Sequence, residues 1–225
     1  AVLLHGGFWR DPWTRDLMDG IAIDLTSRGW ATWNIEYHRV GGGGGWPLTM
    51  EDVATGIDHL AKIATGYSLD LGRVVSIGHS AGGHLALWSA ARPPLVDGIP
   101  HPEPKVPLLA VVALAPVPDL IAAYHQDLGE GAVEEFIRRT PDDGVNRFAT
   151  ASPAELIPLN VPQIIFHGTC DDAVPVEMSR DYAAKATKAG DSVSYHELTD
   201  VDHMDLIDTD GAPWADVVVE LDRFR

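Results

Sequence analysis

The sequence has few of the features that tie a protein to an oxidising compartment or a membrane. Cys170 is its only cysteine, so no internal disulfide can form and the fold does not depend on an oxidising environment. No apolar run approaches the length that spans a bilayer, and no signal peptide is visible. We therefore expect a cytoplasmic protein with no membrane partner.

Positive charge is also scarce. The chain carries 16 Lys and Arg residues against 33 Asp and Glu residues, which gives a formal net charge of −17 at pH 7. Such a surface repels phosphates, so we expect no nucleic-acid partner. The remaining composition is ordinary, with 225 residues of which 45% are hydrophobic and 22% are charged. These values predict one α/β domain with a large core, spanning residues 1–225.

The stretch from Arg73 to Trp88 organises the chain. Val74–Ile77 is typical of a buried strand, and apolar residues recur at helical spacing from Ala81 onward. Between them, Gly78-His79-Ser80-Ala81-Gly82 matches the G-x-S-x-G pattern of a nucleophile elbow. A serine on such a sharp turn is pushed out of the sheet, beside the positive end of the following helix. Alone the pattern is a weak signal, because a Gly-rich turn that opens a core helix has the same form.

Strands alternate with helices along the rest of the chain, which predicts a mostly parallel sheet with helices on both faces. Strands are predicted at Ala1–Leu4, Ala31–Tyr37, Val74–Ile77, Leu108–Leu114, Gln163–Phe166 and Val193–Leu198. Helices are predicted at residues 13–28, from a cap at Thr49, from Ala81, at Val176–Ala189 and from about Trp214, with two short ones between 119 and 139. Loops are predicted at Arg39–Pro47, which contains five consecutive glycines, and at Arg92–Pro107.

Residues 116–160 form an unusually long connection between two predicted strands. Connections between strands and helices in compact domains are mostly short, and longer ones are often functional. We therefore predict a small cap insertion over the site at about this position.

A serine hydroxyl becomes a nucleophile only when a base takes its proton, and the base needs a carboxylate to fix its tautomer. In α/β-hydrolases these groups come in the chain order Ser, then Asp or Glu, then His, each after a strand. Asp171 follows the strand at Gln163–Phe166, and His203 follows the strand at Val193–Leu198. The neighbouring Asp172 is an alternative, but the spacing His-Gly-x-x-Asp-x-x-Val-Pro favours Asp171. The order predicts Ser80 as nucleophile, Asp171 as acid and His203 as base.

Other residues of interest lie beside the first strand and the elbow. Gly6 and Gly7 permit a backbone that turns its amides toward a developing oxyanion, and Ala81 supplies another N–H from the helix start. The alternative is a simple Gly-Gly turn. Candidate walls of an aromatic substrate pocket are Phe8, Trp9 and Trp46, which could equally pack beneath loops, and His79 and His84, which flank Ser80.

These motifs resemble a known group of enzymes. His5-Gly6-Gly7-Phe8-Trp9 together with the run from Gly78 to Leu85 is similar to the α/β-hydrolases of the kynurenine formamidase type, relatives of the hormone-sensitive-lipase esterases. The resemblance extends to Tyr37-His38-Arg39, to the Gly-rich loop ending in Trp46-Pro47, and to His167-Gly168-Thr169 with Asp171. In two places the sequence departs from the pattern: Phe8 stands where a Tyr is frequent, and His38 splits the usual Tyr-Arg pair.

The resemblance implies an α/β-hydrolase fold with an oxyanion hole formed by the amides of Gly7, Phe8 and Ala81. It also implies the predicted triad, and Trp9, Trp46 and His79 are assigned to substrate binding. We expect a serine hydrolase that splits a small acyl ester or amide through an acyl-enzyme, without a metal or an organic cofactor. A carboxylesterase is favoured, with an arylformamidase next and a prolyl-oligopeptidase-like peptidase third. The non-enzymatic alternative, a binding protein on a hydrolase scaffold, would be marked by loss of a triad residue.

The start of the chain carries a further expectation. Ala1 lies inside an apolar run without a methionine, so we expect that the sequence is trimmed or that upstream residues are missing. The early strands of the fold would then be missing or reduced, which makes Ala31–Tyr37 an edge strand with unpaired N–H and C=O groups. We predict that this edge is short, is covered by a loop, or pairs with a second copy of the chain as a homodimer.

Overall fold

The computed structural model describes residues 1–92, 103–143 and 147–225. Its strands form one sheet in the order β2-β1-β3-β4-β5-β6. Each pair of neighbours is parallel, so all of these strands end at the same edge of the sheet. The strands are β1 (Val2–Leu4), β2 (Trp33–Ile35), β3 (Val75–His79), β4 (Ala110–Leu114), β5 (Gln163–Gly168) and β6 (Val193–Leu198).

Helices connect the strands and differ in length. The long ones are α1 (Asp19–Ser27), α2 (Leu48–Tyr67), α3 (Ala81–Ala91), α8 (Val176–Ala189) and α9 (Ala212–Leu221). Four short ones lie between β4 and β5: α4 (Leu120–His125), α5 (Ala132–Ile137), α6 (Phe148–Ala151) and α7 (Pro153–Leu156). Among the helices of the described segments, none is both long and apolar enough to cross a membrane.

Alternate strand residues point to opposite faces, and each face has its own core. On one face, Ile165 packs with residues of α2, α3 and α8 and with the four short helices. On the other face, Ile164 and Phe166 pack with residues of α1 and α9, including Trp214. The sheet is therefore covered by helices on both sides, which confirms the predicted α/β-hydrolase architecture.

The starts of α1 and α2 differ from the predictions. The helix predicted over residues 13–28 begins as a 3₁₀ turn at Arg15–Met18, capped by the hydroxyl of Thr14, and only then becomes α1. Thr49 does not cap α2: the helix begins at Leu48, and the Thr49 hydroxyl instead accepts the N–H of Gly45 at 2.8 Å. The Thr49 side chain therefore holds the Gly-rich loop against the start of α2. Of the loop predicted at Arg92–Pro107, residues 93–102 lie outside the described part of the chain.

Strand β2 forms one edge of the sheet, as predicted. Its regular pairing covers three residues, Trp33–Ile35, which is shorter than the predicted Ala31–Tyr37. The Trp33 indole N–H donates to the carbonyl of Gly56 in α2 at 3.0 Å, so the strand is anchored to the helix beside it. The edge is short, which limits the backbone open to pairing. Pairing with a second copy of the chain stays a prediction.

Candidate active site

Ser80 occupies the turn between β3 and α3, with φ 58° and ψ −122°. A non-glycine residue at positive φ is strained, and such strain is characteristic of functional turns. The Ser80 N–H donates to the carbonyl of Leu114 in β4 at 2.8 Å, which holds the turn. A Cβ on Gly78 would collide with the Gly82 carbonyl, and one on Gly82 would collide with the Leu4 carbonyl. The pattern G-x-S-x-G is therefore required here by the close approach of strand and helix.

Asp171 and His203 meet at the carboxyl ends of β5 and β6. The Nδ1 atom of His203 lies 2.7 Å from Oδ2 of Asp171. The other carboxylate oxygen accepts the backbone N–H groups of Ala173 at 2.9 Å and Val174 at 2.7 Å. The Asp171 side chain is fully buried, whereas Asp172 is exposed. The geometry thus pairs His203 with Asp171 and not with its neighbour.

Competing effects set the charge of this carboxyl group. Burial raises the pKa of Asp171, but hydrogen bonds from His167 and His203 and the nearby N–H of Val174 outweigh it, and the net pKa lies well below the ordinary value. Asp171 is therefore ionised at neutral pH, with its charge directed at the two histidine rings.

His79 joins the predicted nucleophile to the predicted base. Its Nε2 atom donates to the backbone carbonyl of His203 at 2.9 Å, and the two rings lie 4.4 Å apart between centroids. Burial, and then the proximity of His203, lower the pKa of His79 to about 3, so the ring is neutral. Because His79 directly precedes Ser80, this bond holds His203 next to the elbow. Within the described residues no direct hydrogen bond joins Ser80 Oγ to the His203 ring.

The His-Gly-Gly turn lies against the elbow. A Cβ on Gly6 would lie 3.0 Å from Cβ of Ser80, which places this backbone beside the serine. Gly7, Phe8 and Trp9 all have positive φ, at 102°, 49° and 57°, so the chain turns left-handed directly after β1. Throughout the described segments, the N–H groups of Gly7, Phe8 and Ala81 donate to no protein acceptor. Three free donors therefore lie on segments that adjoin Ser80.

The two tryptophans assigned to substrate binding are core residues. Trp9 is fully buried, stacks on Phe136 at 4.6 Å between centroids, and donates its indole N–H to Nδ1 of His84 at 3.2 Å. Trp46 is only 2% exposed, as is His79, so neither faces an open pocket. Both tryptophans are packed in the interior, which agrees with the alternative prediction of a packing role. The helices between β4 and β5 cover them on that face of the sheet.

Two exposed apolar side chains adjoin the site without having been predicted. The Trp13 ring covers Gly7, and its side chain is 49% exposed, while Met204 directly follows His203 and is 48% exposed. Phe8, which was predicted, is half-buried and contacts Gly129. The one signal for Trp13 in the sequence was its position, as an aromatic residue a few positions after the His-Gly-Gly turn.

Two buried histidines have partners that the sequence did not predict, although His84 was predicted to line the pocket. His84 accepts the Trp9 indole and donates from Nε2 to the carbonyl of Ala151 at 2.9 Å, and burial lowers its pKa to about 4. It thus links the His-Gly-Gly turn to the short helix α6. His167, in β5, contacts the carboxylate of Asp171 with its Nε2 atom at 3.2 Å. The His-Gly-x-x-Asp spacing was the available signal for His167.

The residues around the elbow bring together a serine, a histidine paired with a buried carboxylate, and unpaired N–H groups. In the part of the chain that the structure describes, no group of three or more His, Cys, Asp or Glu side chains could hold a metal ion. A strained serine, a histidine oriented by a buried carboxylate, and free N–H donors are what covalent acyl transfer requires.

An α/β-hydrolase is the class of protein that this sheet and elbow define. Residues 1–186 match the BD-FAE family, an α/β-hydrolase esterase family, and because the match covers most of the chain, the chain belongs to that family. The finer resemblance, to kynurenine formamidases and hormone-sensitive-lipase relatives, stays a prediction.

Individual relatives agree with this assignment. The chain is 28% identical to Esterase LipC of Mycobacterium tuberculosis over an alignment of 221 residues, which covers 92% of this chain and 53% of that protein. It therefore spans about half the length of this curated relative. Among solved structures, a truncated carbohydrate esterase from gut microbiota superposes with a TM-score of 0.80 at 18% identity, covering 99% of this chain and 84% of that one. A thermophilic esterase from the planctomycete Thermogutta terrifontis superposes with a TM-score of 0.78 at 23% identity, covering 99% and 79%.

Proposed function

We propose that the chain is a serine carboxylesterase that hydrolyses short acyl esters through an acyl-enzyme. The observation that carries the proposal is the 2.7 Å bond between Asp171 and His203, in a loop that His79 ties to the elbow of Ser80. Because Nδ1 of His203 is bonded to the carboxylate, Nε2 is the atom left to act as base.

The reaction has two balanced halves. Ser80 Oγ attacks the ester carbonyl carbon and gives its proton to Nε2 of His203, while the carbonyl oxygen becomes an oxyanion. The tetrahedral intermediate collapses, and the leaving alcohol takes the proton back from His203. A water molecule then repeats the sequence on the acyl-enzyme, which releases the acid and regenerates Ser80.

The free N–H groups of Gly7, Phe8 and Ala81 support a role as the oxyanion hole. Ala81 is the first residue of α3, where N–H groups have no partner in the helix and the dipole favours negative charge. The positive φ of Gly7 and Phe8 fixes the turn before substrate arrives, so little reorganisation is needed when charge develops.

We assign residues 116–160 to a small cap beside this site. Four contacts support the assignment. Phe8 touches Gly129, His84 binds the carbonyl of Ala151, and Arg10 donates to the carbonyl of Gly129 at 2.6 Å and forms an ion pair with Glu135 at 2.6 Å. The segment is therefore joined to the His-Gly-Gly turn, where it would enclose the acyl or alcohol part of a substrate.

Ester substrates are favoured over amides because the relatives are named as esterases. The T. terrifontis enzyme has also been solved with propionate and with butyrate bound, which supports short acyl groups here. The same machinery would cleave an N-formyl amide, so the arylformamidase stays the second candidate within this mechanism. A peptidase stays third.

A substrate panel tests the proposal. Purified protein would be assayed with 4-nitrophenyl acetate, butyrate and octanoate, with an N-formyl anilide, and with a peptide nitroanilide. We expect kcat/KM to be highest for acetate or butyrate. A higher kcat/KM for the formanilide would replace the esterase by a formamidase, and no turnover together with no labelling by a fluorophosphonate would indicate a binding protein.

A further inference from the structure

A second histidine contacts the carboxylate that orients the predicted base. His167 lies near the end of β5, and its side chain is fully buried. Its Nε2 atom is 2.9 Å from the carbonyl oxygen of Val174 and 3.2 Å from Oδ2 of Asp171. Its Nδ1 atom is 2.7 Å from the hydroxyl of Ser179 in α8.

These partners determine which ring nitrogen carries the proton. Both neighbours of Nε2 are acceptors, a carbonyl and an ionised carboxylate, so Nε2 must be protonated. The Ser179 hydroxyl can donate to the unprotonated Nδ1. The two acceptors at Nε2 therefore set the tautomer in which His167 points its N–H toward Val174 and Asp171, and Ser179 holds the ring in that orientation.

The position of this donor matters because of what else binds the carboxylate. One oxygen of Asp171 is held by two backbone N–H groups, and the other receives His203 and His167. Apart from the base itself, His167 is the one side chain with an N–H group that the described residues bring into contact with Asp171.

We propose that His167, locked by Ser179, is a positioning residue that holds Asp171 in the orientation and ionisation state needed to direct His203. The inference rests on the proposed esterase function, since the base is the predicted His203. It adds a Ser179–His167–Asp171 chain to the Asp171–His203–Ser80 series.

The chain supplies a matched control. His196 in β6 is also hydrogen-bonded to a serine, with its Nε2 atom 3.0 Å from the hydroxyl of Ser194, and it stacks on Phe166 at 4.3 Å between centroids. The charged side chain near His196 is Glu220, at 3.7 Å, and His196 does not contact Asp171. A change at His196 therefore alters a similar His–Ser pair without touching the carboxylate.

The test compares kcat, KM and the pH profile of His167→Phe, His167→Gln, Ser179→Ala and His196→Gln. We expect His167→Phe to lower kcat by about 10- to 100-fold with little change in KM, because a small misplacement of a catalytic group is costly. Gln places an amide N–H near the position of Nε2, so His167→Gln should recover most of the loss. Ser179→Ala should lower kcat by a few-fold, and His196→Gln should match the unsubstituted protein.

The pH profile separates positioning from simple damage. A carboxylate with one donor fewer takes up a proton more readily, so the acid limb of kcat/KM should move to higher pH in His167→Phe. A variant that is only structurally damaged should have a lower plateau of kcat/KM, with the acid limb at the same pH. Active protein in which His167→Phe has an unchanged kcat and an unmoved acid limb would overturn the proposal.

Two further measurements keep the result interpretable. If His167→Phe fails to fold by circular dichroism, His167→Gln and Ser179→Ala decide: an unchanged kcat and pH profile in Ser179→Ala would count against the lock by Ser179. In the protein without substrate, the downfield proton resonance of the Asp171–His203 bond should shift in Ser179→Ala and stay in place in His196→Gln. Failure of the esterase function itself would be seen separately, as no turnover and no fluorophosphonate labelling of the unsubstituted chain.

Discussion

The two ends of the sheet differ in what they bury. At the carboxyl end, Ser80 is 2% exposed, and buried histidines and a buried carboxylate are joined by short hydrogen bonds. At the amino end of β1, β2 and β3 lies a cavity of about 1030 Å³, lined by aromatic side chains that include Trp30, Trp33 and Tyr67. This cavity therefore lies at the end of the sheet without the strained serine.

The difference shows what locates chemistry in a parallel sheet. Carboxyl ends of strands converge with the amino ends of helices, so free N–H groups and loop side chains meet there. At the amino end of β1–β3 the cavity meets the carboxyl end of α2, where the helix dipole is negative and no elbow exists. A cavity by itself therefore does not mark the position of the elbow in this molecule.

Replacing Ser80, at the carboxyl end of the sheet, should have the largest effect on kcat. We expect Ser80→Ala to lower kcat by at least about 10⁴-fold, since no other group can form the acyl-enzyme. A fluorophosphonate should add one mass equivalent at Ser80 and none in the variant. Ser89→Ala, in the helix α3 that follows Ser80, is the matched control and should keep its activity. Labelling at Ser76 or Ser89 would contradict the assignment.

Replacing the acid should come second. We expect Asp171→Asn to lower kcat by about 10³- to 10⁴-fold, because an amide N–H facing His203 favours the wrong tautomer. Asp172→Asn, on the exposed neighbour, should change kcat by less than about three-fold. Steady-state kinetics of both variants at neutral pH make the comparison. If Asp172→Asn were the more damaged protein, the Asp171–His203 pairing would not be the working one.

The tether of the base loop should have a smaller effect on turnover. We expect His79→Leu to lower kcat by about 10-fold with KM nearly unchanged, because the carbonyl of His203 loses its donor. His79→Gln retains an N–H near Nε2 and should be less affected. A rise in KM at constant kcat would instead support the substrate-binding role that the sequence suggested.

The ionised acid should also affect stability in a way that depends on pH. The folded pKa of Asp171 is lowered, so the carboxylate stabilises the fold above its unfolded pKa of about 3.9, and this stabilisation is lost as pH falls toward the folded pKa. We expect the difference in unfolding free energy between the unsubstituted chain and Asp171→Asn to be largest above about pH 5 and to shrink below about pH 4. Urea titrations from pH 3 to pH 7 measure it, and a constant difference would contradict the lowered pKa.

The amino-end cavity should give the smallest effect. Tyr67 lines the cavity and is 73% exposed, so Tyr67→Ser removes an aromatic wall without opening the core. We expect kcat/KM for 4-nitrophenyl butyrate to stay within about two-fold and the unfolding free energy within about 0.5 kcal/mol. A large loss of activity would contradict the expectation that the amino-end cavity takes no part in turnover.

The sequence was most informative where a local rule determined the structure. The strand predicted at Gln163–Phe166 is observed at Gln163–Gly168, and α8 begins and ends at the predicted residues. The elbow was predictable because Gly78 and Gly82 are needed wherever strand and helix approach so closely. The triad candidates followed from chain order and strand ends, and the structure brings Asp171 and His203 together.

Side-chain partners across the fold were not predictable from the sequence. Trp9 and Trp46 follow motifs that suggested an open pocket, but whether they are covered depends on helices from a segment more than seventy residues later. His84 and His167 are hydrogen-bonded to Ala151 and Ser179, which approach them by tertiary packing. Neither periodicity nor spacing specifies such contacts.

The parallel order of the sheet has a consequence for how activity is acquired during synthesis. Ser80 and its turn come from the first half of the chain, but His203 follows β6, which pairs only with β5 at the far edge of the sheet. The bond between His79 and the His203 carbonyl closes a separation of 124 residues. Contacts of such length form slowly and late. A nascent chain therefore carries the elbow long before it carries His203, and in the proposed mechanism activity would require that β6 has docked.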